Sequence, residues 1–213
     1  MSLTTNDLAG GLALDVRPAP RVRPSARLGV GLLAGALAPV ALLMHDGVRP
    51  DVAAAASTLG FWLKALYPLA IMIFAVGGAD QAARPVGLRA WPFIGLAVTA
   101  GVILAGAAAS ETGPAAARDE ALFGRTALSC PLSILIYAAG PLVGLFSVVR
   151  SLAPTRLRVA GAVTGLAAGA TGAFFYSLHC TETGLPFLAA WYSLGMIAAA
   201  GVGAIVGGRL LRW

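Results

Sequence analysis

Leu178-His179-Cys180-Thr181-Glu182 is a short polar interruption between two long apolar runs, and its reading decides the fold. The run from Val159 to Leu178 ends at it, and the next begins near Pro186. Two apolar stretches of that length, joined by so short a link, read as two hydrophobic helices with a tight loop between them. The link holds one of the two cysteines and one of the two histidines of the chain. The other cysteine, Cys130, stands before Pro131 at the start of another apolar run.

Outward from that loop the pattern repeats. Hydrophobic residues make up 58% of the 213-residue chain and charged residues 11%, against roughly a quarter charged in a soluble domain. Six apolar segments follow one another: Leu28 to Met44, Thr58 to Ala79, Trp91 to Ala109, Pro131 to Val149, Val159 to Leu178 and Pro186 to Val206. At roughly 17 to 22 residues each, they are long enough to cross a hydrocarbon core about 30 Å thick, and the first is expected to be the shortest. The expected fold is therefore all-α: a polytopic membrane protein, a bundle of six transmembrane helices with a short cytoplasmic N-terminal tail. Its two parts are residues 1–27, the tail and its Pro/Arg-rich linker, and residues 28–213, the transmembrane domain.

Small residues recur every four positions, in Gly31 and Gly35, in Gly140 and Gly144, in Gly161, Gly165 and Gly169, and in Gly195, Ala199, Gly203 and Gly207. Such spacing predicts close helix packing in one compact bundle. The net charge of +6 is not a nucleic-acid footprint, because every basic residue but Lys64 lies outside the apolar runs. There, basic residues set orientation and touch lipid headgroups.

The tail reads in two pieces. Leu8, Leu12 and Val16 recur every four residues on one helical face between Asp7 and Asp15, with Thr5 or Asn6 placed to cap it. Pro18, Pro20 and Pro24 then favour an extended linker. Such a tail is either a disordered lead-in touching headgroups or a helix that folds on a partner. It lacks a secretory signal pattern, since Asp7 and Asp15 precede the arginines, so insertion by an uncleaved first helix is expected.

Arg17, Arg21, Arg23, Arg27, Arg84, Arg89, Arg150, Arg156, Arg158, Arg209 and Arg212 fall on one side of the alternating helices; Arg49, Arg118 and Arg125 fall on the other. Eleven against three puts both termini in the cytoplasm by the positive-inside rule. The expected location is a bacterial inner membrane, with His45, Cys130, His179, Cys180 and Glu182 facing the periplasm.

These outer residues carry the candidate chemistry. Pro131 fits a first helical position and so places Cys130 at a helix N-terminus, where the macrodipole favours a thiolate. Cys180 lies past a helix C-terminus without that help. The pair reads as a redox switch able to form a disulfide, or as two small apolar fillers. A metal site at Cys130, His179 and Cys180, with Glu182 or His45 as a fourth ligand, is a further reading, although the spacing matches no established motif. Lys64, in Phe61-Trp62-Leu63-Lys64-Ala65-Leu66-Tyr67-Pro68, is the only ionisable residue well inside an apolar run. It either snorkels past Trp62 or serves the sensor, with Glu182 or a Cys130 thiolate as partner.

The chain resembles the NrsF-type membrane anti-sigma factors of proteobacteria along essentially its whole length. The resemblance rests on the tail form Asp7-Leu8 through Leu12-Ala13 and Asp15 to Pro18, the six spans, Phe61 to Pro68 in the second, Cys130-Pro131 opening the fourth, and Leu178 to Glu182 followed by Pro186-Phe187 and Trp191-Tyr192. It implies that the tail, through Asp7, Leu8, Leu12, Asp15 and Val16, sequesters an extracytoplasmic-function sigma factor. It also implies that Cys130 and Cys180 are needed for a response to heavy-metal or oxidative stress; from their position on the same side, Lys64, His179 and Glu182 are the candidate accessory sensor residues. No enzymatic activity, resident cofactor or direct nucleic-acid contact is expected, beyond a transient metal ion at the two thiols. A quinone-linked thiol oxidoreductase generally has two cysteine pairs where this chain has one, and a small transporter would need more buried polar groups than Lys64. Gly10-Gly11 interrupts the tail pattern and weakens any helix preformed in the free protein.

Overall fold

The structure, a computed structural model, describes residues 4, 5, 9, 10, 13, 24–84, 89–110 and 114–212. Thr5, Ala9, Gly10 and Ala13 have helical backbone, whereas Asp7, Leu8, Leu12, Asp15 and Val16 lie outside the described residues. The described helices are α1 (Pro24–Asp46), α2 (Val52–Ala55), α3 (Leu59–Ala82), α4 (Trp91–Ser110), α5 (Ala115–Phe123), α6 (Ser129–Ser151), α7 (Leu157–Ser177) and α8 (Leu185–Leu210). A π-helical turn interrupts α8 at Leu188–Tyr192. Among the described residues, α1, α3, α4, α6, α7 and α8 are the six helices long and apolar enough to cross a membrane.

The helices outrun the apolar segments at several ends, and this corrects one expectation. The first span is not the shortest: α1 has 23 residues and α4 has 20. Hydropathy misses the opening turn Pro24-Ser25-Ala26-Arg27 because it is polar, yet proline suits a first helical position, where its missing N–H bonds nothing. At the start of α3, the Thr58 hydroxyl accepts from the Phe61 N–H.

At the centre stands α7, packed against α8, α3, α6 and α1. Its buried surface is almost wholly Gly, Ala and Thr, and small side chains let four neighbours approach one helix at once. The spaced glycines sit in close helix packing as expected, and two sets of them meet one another. Gly31 and Gly35 of α1 face Gly144 and Gly140 of α6, and Gly161 and Gly165 of α7 face Gly203 and Gly207 of α8. In both seams backbone touches backbone: a Cβ on Gly35 would lie 2.7 Å from the Gly140 carbonyl oxygen, and one on Gly207 would lie 2.7 Å from Gly161 Cα. Thr164 and Thr171 of α7 return their hydroxyls to the Ala160 and Ala167 carbonyls at 2.6 and 2.8 Å, so buried polarity is satisfied within the helix.

By contrast, α4 sits at the edge and leaves Ile94, Val98 and Val102 exposed to the surroundings. It docks on α3 by two reciprocal notches: the Trp91 ring fills the space over Gly77, and the Phe74 ring fills the space over Gly95.

Alanine at Gly165 should destabilise the bundle, because the new Cβ meets the Ala199 carbonyl oxygen and lies 2.9 Å from Gly203 Cα. Overpacking of this kind costs roughly 1–3 kcal/mol. Gly201→Ala has open space around it and should leave stability unchanged or raise it by up to about 1 kcal/mol from helix propensity. Thermal unfolding of both variants in detergent, followed by circular dichroism, checks the contrast.

Candidate functional site

The α7–α8 loop is drawn inward rather than left in solvent. After Ser177 the chain makes one more turn, in which the N–H groups of His179 and Cys180 both bond the Tyr176 carbonyl at 3.0 Å. The Cys180 and Glu182 carbonyls then have no helical partner, and the Lys64 ammonium supplies one. Its Nζ donates to Cys180 O at 2.7 Å and to Glu182 O, and lies 5.4 Å from the centre of the Tyr192 ring. Lys64 is fully buried, so it does not snorkel. Nor does it pair with the Glu182 carboxylate, whose Oε1 accepts the Arg125 backbone N–H at 2.9 Å. A buried ammonium needs compensating partners, and here two loop carbonyls and the Tyr192 ring supply them without a counter-carboxylate.

Other elements converge on the same loop. The Arg49 N–H bonds Leu178 O at 3.0 Å, and the Arg49 guanidinium grips both carboxylate oxygens of Asp51 at 2.7 Å while its Nη1 lies 3.5 Å from Cys180 O. That fork holds the Asp51 carboxyl below its ordinary range, chiefly through the hydrogen bond. His179 Nδ1 lies 2.8 Å from the Gly47 carbonyl. A carbonyl only accepts, so Nδ1 carries the proton. On the far side Trp191 Nε1 donates to Leu122 O at 2.8 Å, which ties α8 to α5.

Cys130 and Cys180 end up in one buried cluster with Tyr67, Tyr137, Tyr176 and Tyr192. Both are free thiols, 0% and 4% exposed. Cys130 is the second residue of α6, with its N–H on Thr126 O at 2.9 Å. Tyr137 donates to Asp46 at 2.7 Å at the end of α1, and Tyr67 shares a hydrogen bond with Ser193 at 2.7 Å. The Tyr192 hydroxyl is fully buried without a hydrogen-bond partner among the described residues. It is a polar atom left open in the cluster that holds the thiols.

The convergence expected of the two cysteines is thus present, and Lys64, His179 and Glu182 border it. The metal reading fares differently: among the described residues no group of three or more His, Cys, Asp or Glu side chains is gathered to hold an ion. His179 is engaged by Gly47, and His45 is exposed beside Asp46. Sequence reasoning missed Arg49, which it counted only as a loop charge, and Tyr192. The pairing of Arg49 with Asp51 two residues on was legible as a local fork. The inward turn of Tyr192 was not.

Fold and site together define a six-helix integral membrane protein that seals two thiols and a lysine inside one end of its bundle. The chain belongs to the NrsF family, described as negative regulator of sigma F, whose model matches residues 12–213. It is 34% identical to the probable anti-sigma-F factor NrsF of Azospira oryzae, over 97% of this chain and 96% of that protein. It is 36% identical to the anti-sigma-F factor NrsF of Caulobacter vibrioides, over 99% of this chain and all of that protein. No solved structure matches the chain.

Lys64→Met keeps the bulk of the side chain and removes the donor, leaving the Glu182 carbonyl without its partner and the Cys180 carbonyl with only the longer Arg49 contact. It should lower stability by roughly 1–3 kcal/mol or more, the cost of one unsatisfied acceptor. Released from Lys64, the loop should also expose Cys180, so that a maleimide labels it faster than in the wild type under native conditions. Mass spectrometry of the timed reaction reads the change.

Proposed function

We propose that this chain is a membrane-bound anti-sigma factor. Residues 1–27 hold an extracytoplasmic-function sigma factor, and residues 28–213 release it when Cys130 and Cys180 react with a metal or an oxidant. The observation that carries the reading is the placement of both free thiols in one buried cluster at the end of the bundle away from the tail. The tail enters α1 at Pro24, whereas the thiol end lies beyond Asp46, about 35 Å away at 1.5 Å per residue. The names of the two relatives, both anti-sigma-F factors, support sigma binding, and the eleven-to-three distribution of arginines supports cytoplasmic termini in an inner membrane.

A signal at the thiols reaches the tail only if the two thiol states favour different helix packings. Oxidation removes two electrons and two protons from the pair and joins the sulfurs, the electrons passing to the oxidant. A soft metal ion instead displaces the protons and bridges two thiolates. Either change pulls the first turn of α6 against the α7–α8 loop. Because α6 meets α1 backbone to backbone at Gly31, Gly35, Gly140 and Gly144, a shift of α6 carries α1, and α1 carries the tail.

Cys130→Ser and Cys180→Ser should each leave the protein inserted and able to bind sigma, yet lock transcription of the sigma-dependent genes at one level with or without added metal or oxidant. A reporter assay reads this, and a normal response from both single variants would make the cysteines packing residues.

In the tail, Leu8→Ala combined with Leu12→Ala removes two apolar anchors worth roughly 1.5–3 kcal/mol each when fully buried. Affinity for the sigma factor should fall by at least about tenfold, measured by titrating the full-length protein in detergent. Full retention of binding would place the interface elsewhere.

A further inference from the structure

The α7–α8 seam has a second consequence at the opposite end from the thiols. Holding Gly161 and Gly165 against Gly203 and Gly207 sets the start of α7 beside the end of α8, and these ends carry Arg156, Arg158, Arg209 and Arg212. All four are exposed, and among the described residues none of their side chains forms an ion pair or hydrogen bond. The stem of Arg158 lies along Gly208, where a Cβ would sit 3.6 Å from Arg158 Cγ. Two adjoining recesses of about 410 and 300 Å³ open here, sharing Arg158, Gly208 and Arg212. Toward the middle of the bundle the larger one is lined by Ala204 and Ile205, and the smaller borders Val159. Ile205 and Val159 are both exposed apolar side chains.

Among the described residues no carboxylate pairs with these four guanidinium groups, and like charges gathered at one place repel one another unless an anion joins them. Their planar forks suit phosphate oxygens. A free phosphate ion would answer the charge and leave Ile205 and Val159 uncovered. An acidic lipid answers both, with its phosphodiester among the arginines and its chains along the apolar flank. We infer that the cleft between the start of α7 and the end of α8 binds the phosphodiester headgroup of an acidic membrane lipid, independently of what the tail binds.

The test uses the full-length protein in detergent, titrated with phosphatidylglycerol, phosphatidylcholine or inorganic phosphate, and read by thermal unfolding and native mass spectrometry. Phosphatidylglycerol should raise the melting temperature and remain bound. Arg158→Gln with Arg212→Gln should weaken its apparent affinity by roughly tenfold or more. Arg84→Gln with Arg89→Gln removes the same charge elsewhere and should bind as the wild type does. Arg158→Lys with Arg212→Lys keeps the charge without the fork and should bind with intermediate affinity, which keeps the test open if the glutamine variant unfolds. Equal stabilisation by phosphatidylcholine or inorganic phosphate, or equal losses in the two glutamine variants, would overturn the inference.

Discussion

The ammonium of Lys64, bonded to the backbone oxygens of Cys180 and Glu182, is the interaction on which the thiol end of the molecule depends. Loop carbonyls cannot remain unpaired in a buried setting, and neither can a charged amine. Each meets the need of the other, so the α7–α8 loop folds inward and carries Cys180 to 4% exposure. The remaining contacts of the loop, from Arg49, Gly47 and Arg125, fix an arrangement that Lys64 makes possible.

Two glycine seams perform the complementary task in the rest of the bundle. Apolar side chains gain little by leaving lipid for the company of other apolar side chains, so transmembrane helices associate through close packing. The α1–α6 and α7–α8 seams supply it by bringing backbones into contact. They also convert one-dimensional spacing into direct contact between particular helices. The first joins the helix that opens with Cys130 to the helix that carries the tail, and the second gathers four arginines at one place.

Burial changes how the cysteines are to be understood. A helix N-terminus suggested a thiolate-favouring Cys130, with a small apolar filler as the other reading, and the structure buries both thiols in one cluster among tyrosines. The bonds from Lys64 and Arg49 hold the α7–α8 loop in place. Asp46 and Asp51, which flank the site, are held by Tyr137 and Arg49 respectively.

By itself the sequence determined the class, the six spans, the small-residue spacing that packs helices closely and the common end of the two cysteines. These depend on hydropathy, residue size and alternation, which are local or periodic properties of a chain in a bilayer. It left open the direction of Lys64, because one lysine near a membrane surface is compatible with snorkelling and with burial, and the partner that decides between them is a backbone oxygen 116 positions away. Backbone carbonyls carry no sequence signature, so no pattern of residue types pointed to Cys180 and Glu182 as acceptors. Nor could spacing show that Arg49 would turn inward, that Tyr192 would leave its hydroxyl unpaired beneath the loop, or that His179 would face Gly47 in place of a metal ion. Only the packing of α3, α7 and α8 around one loop decided those, because burial and hydrogen-bond partnership are properties of the assembled bundle and not of any single segment.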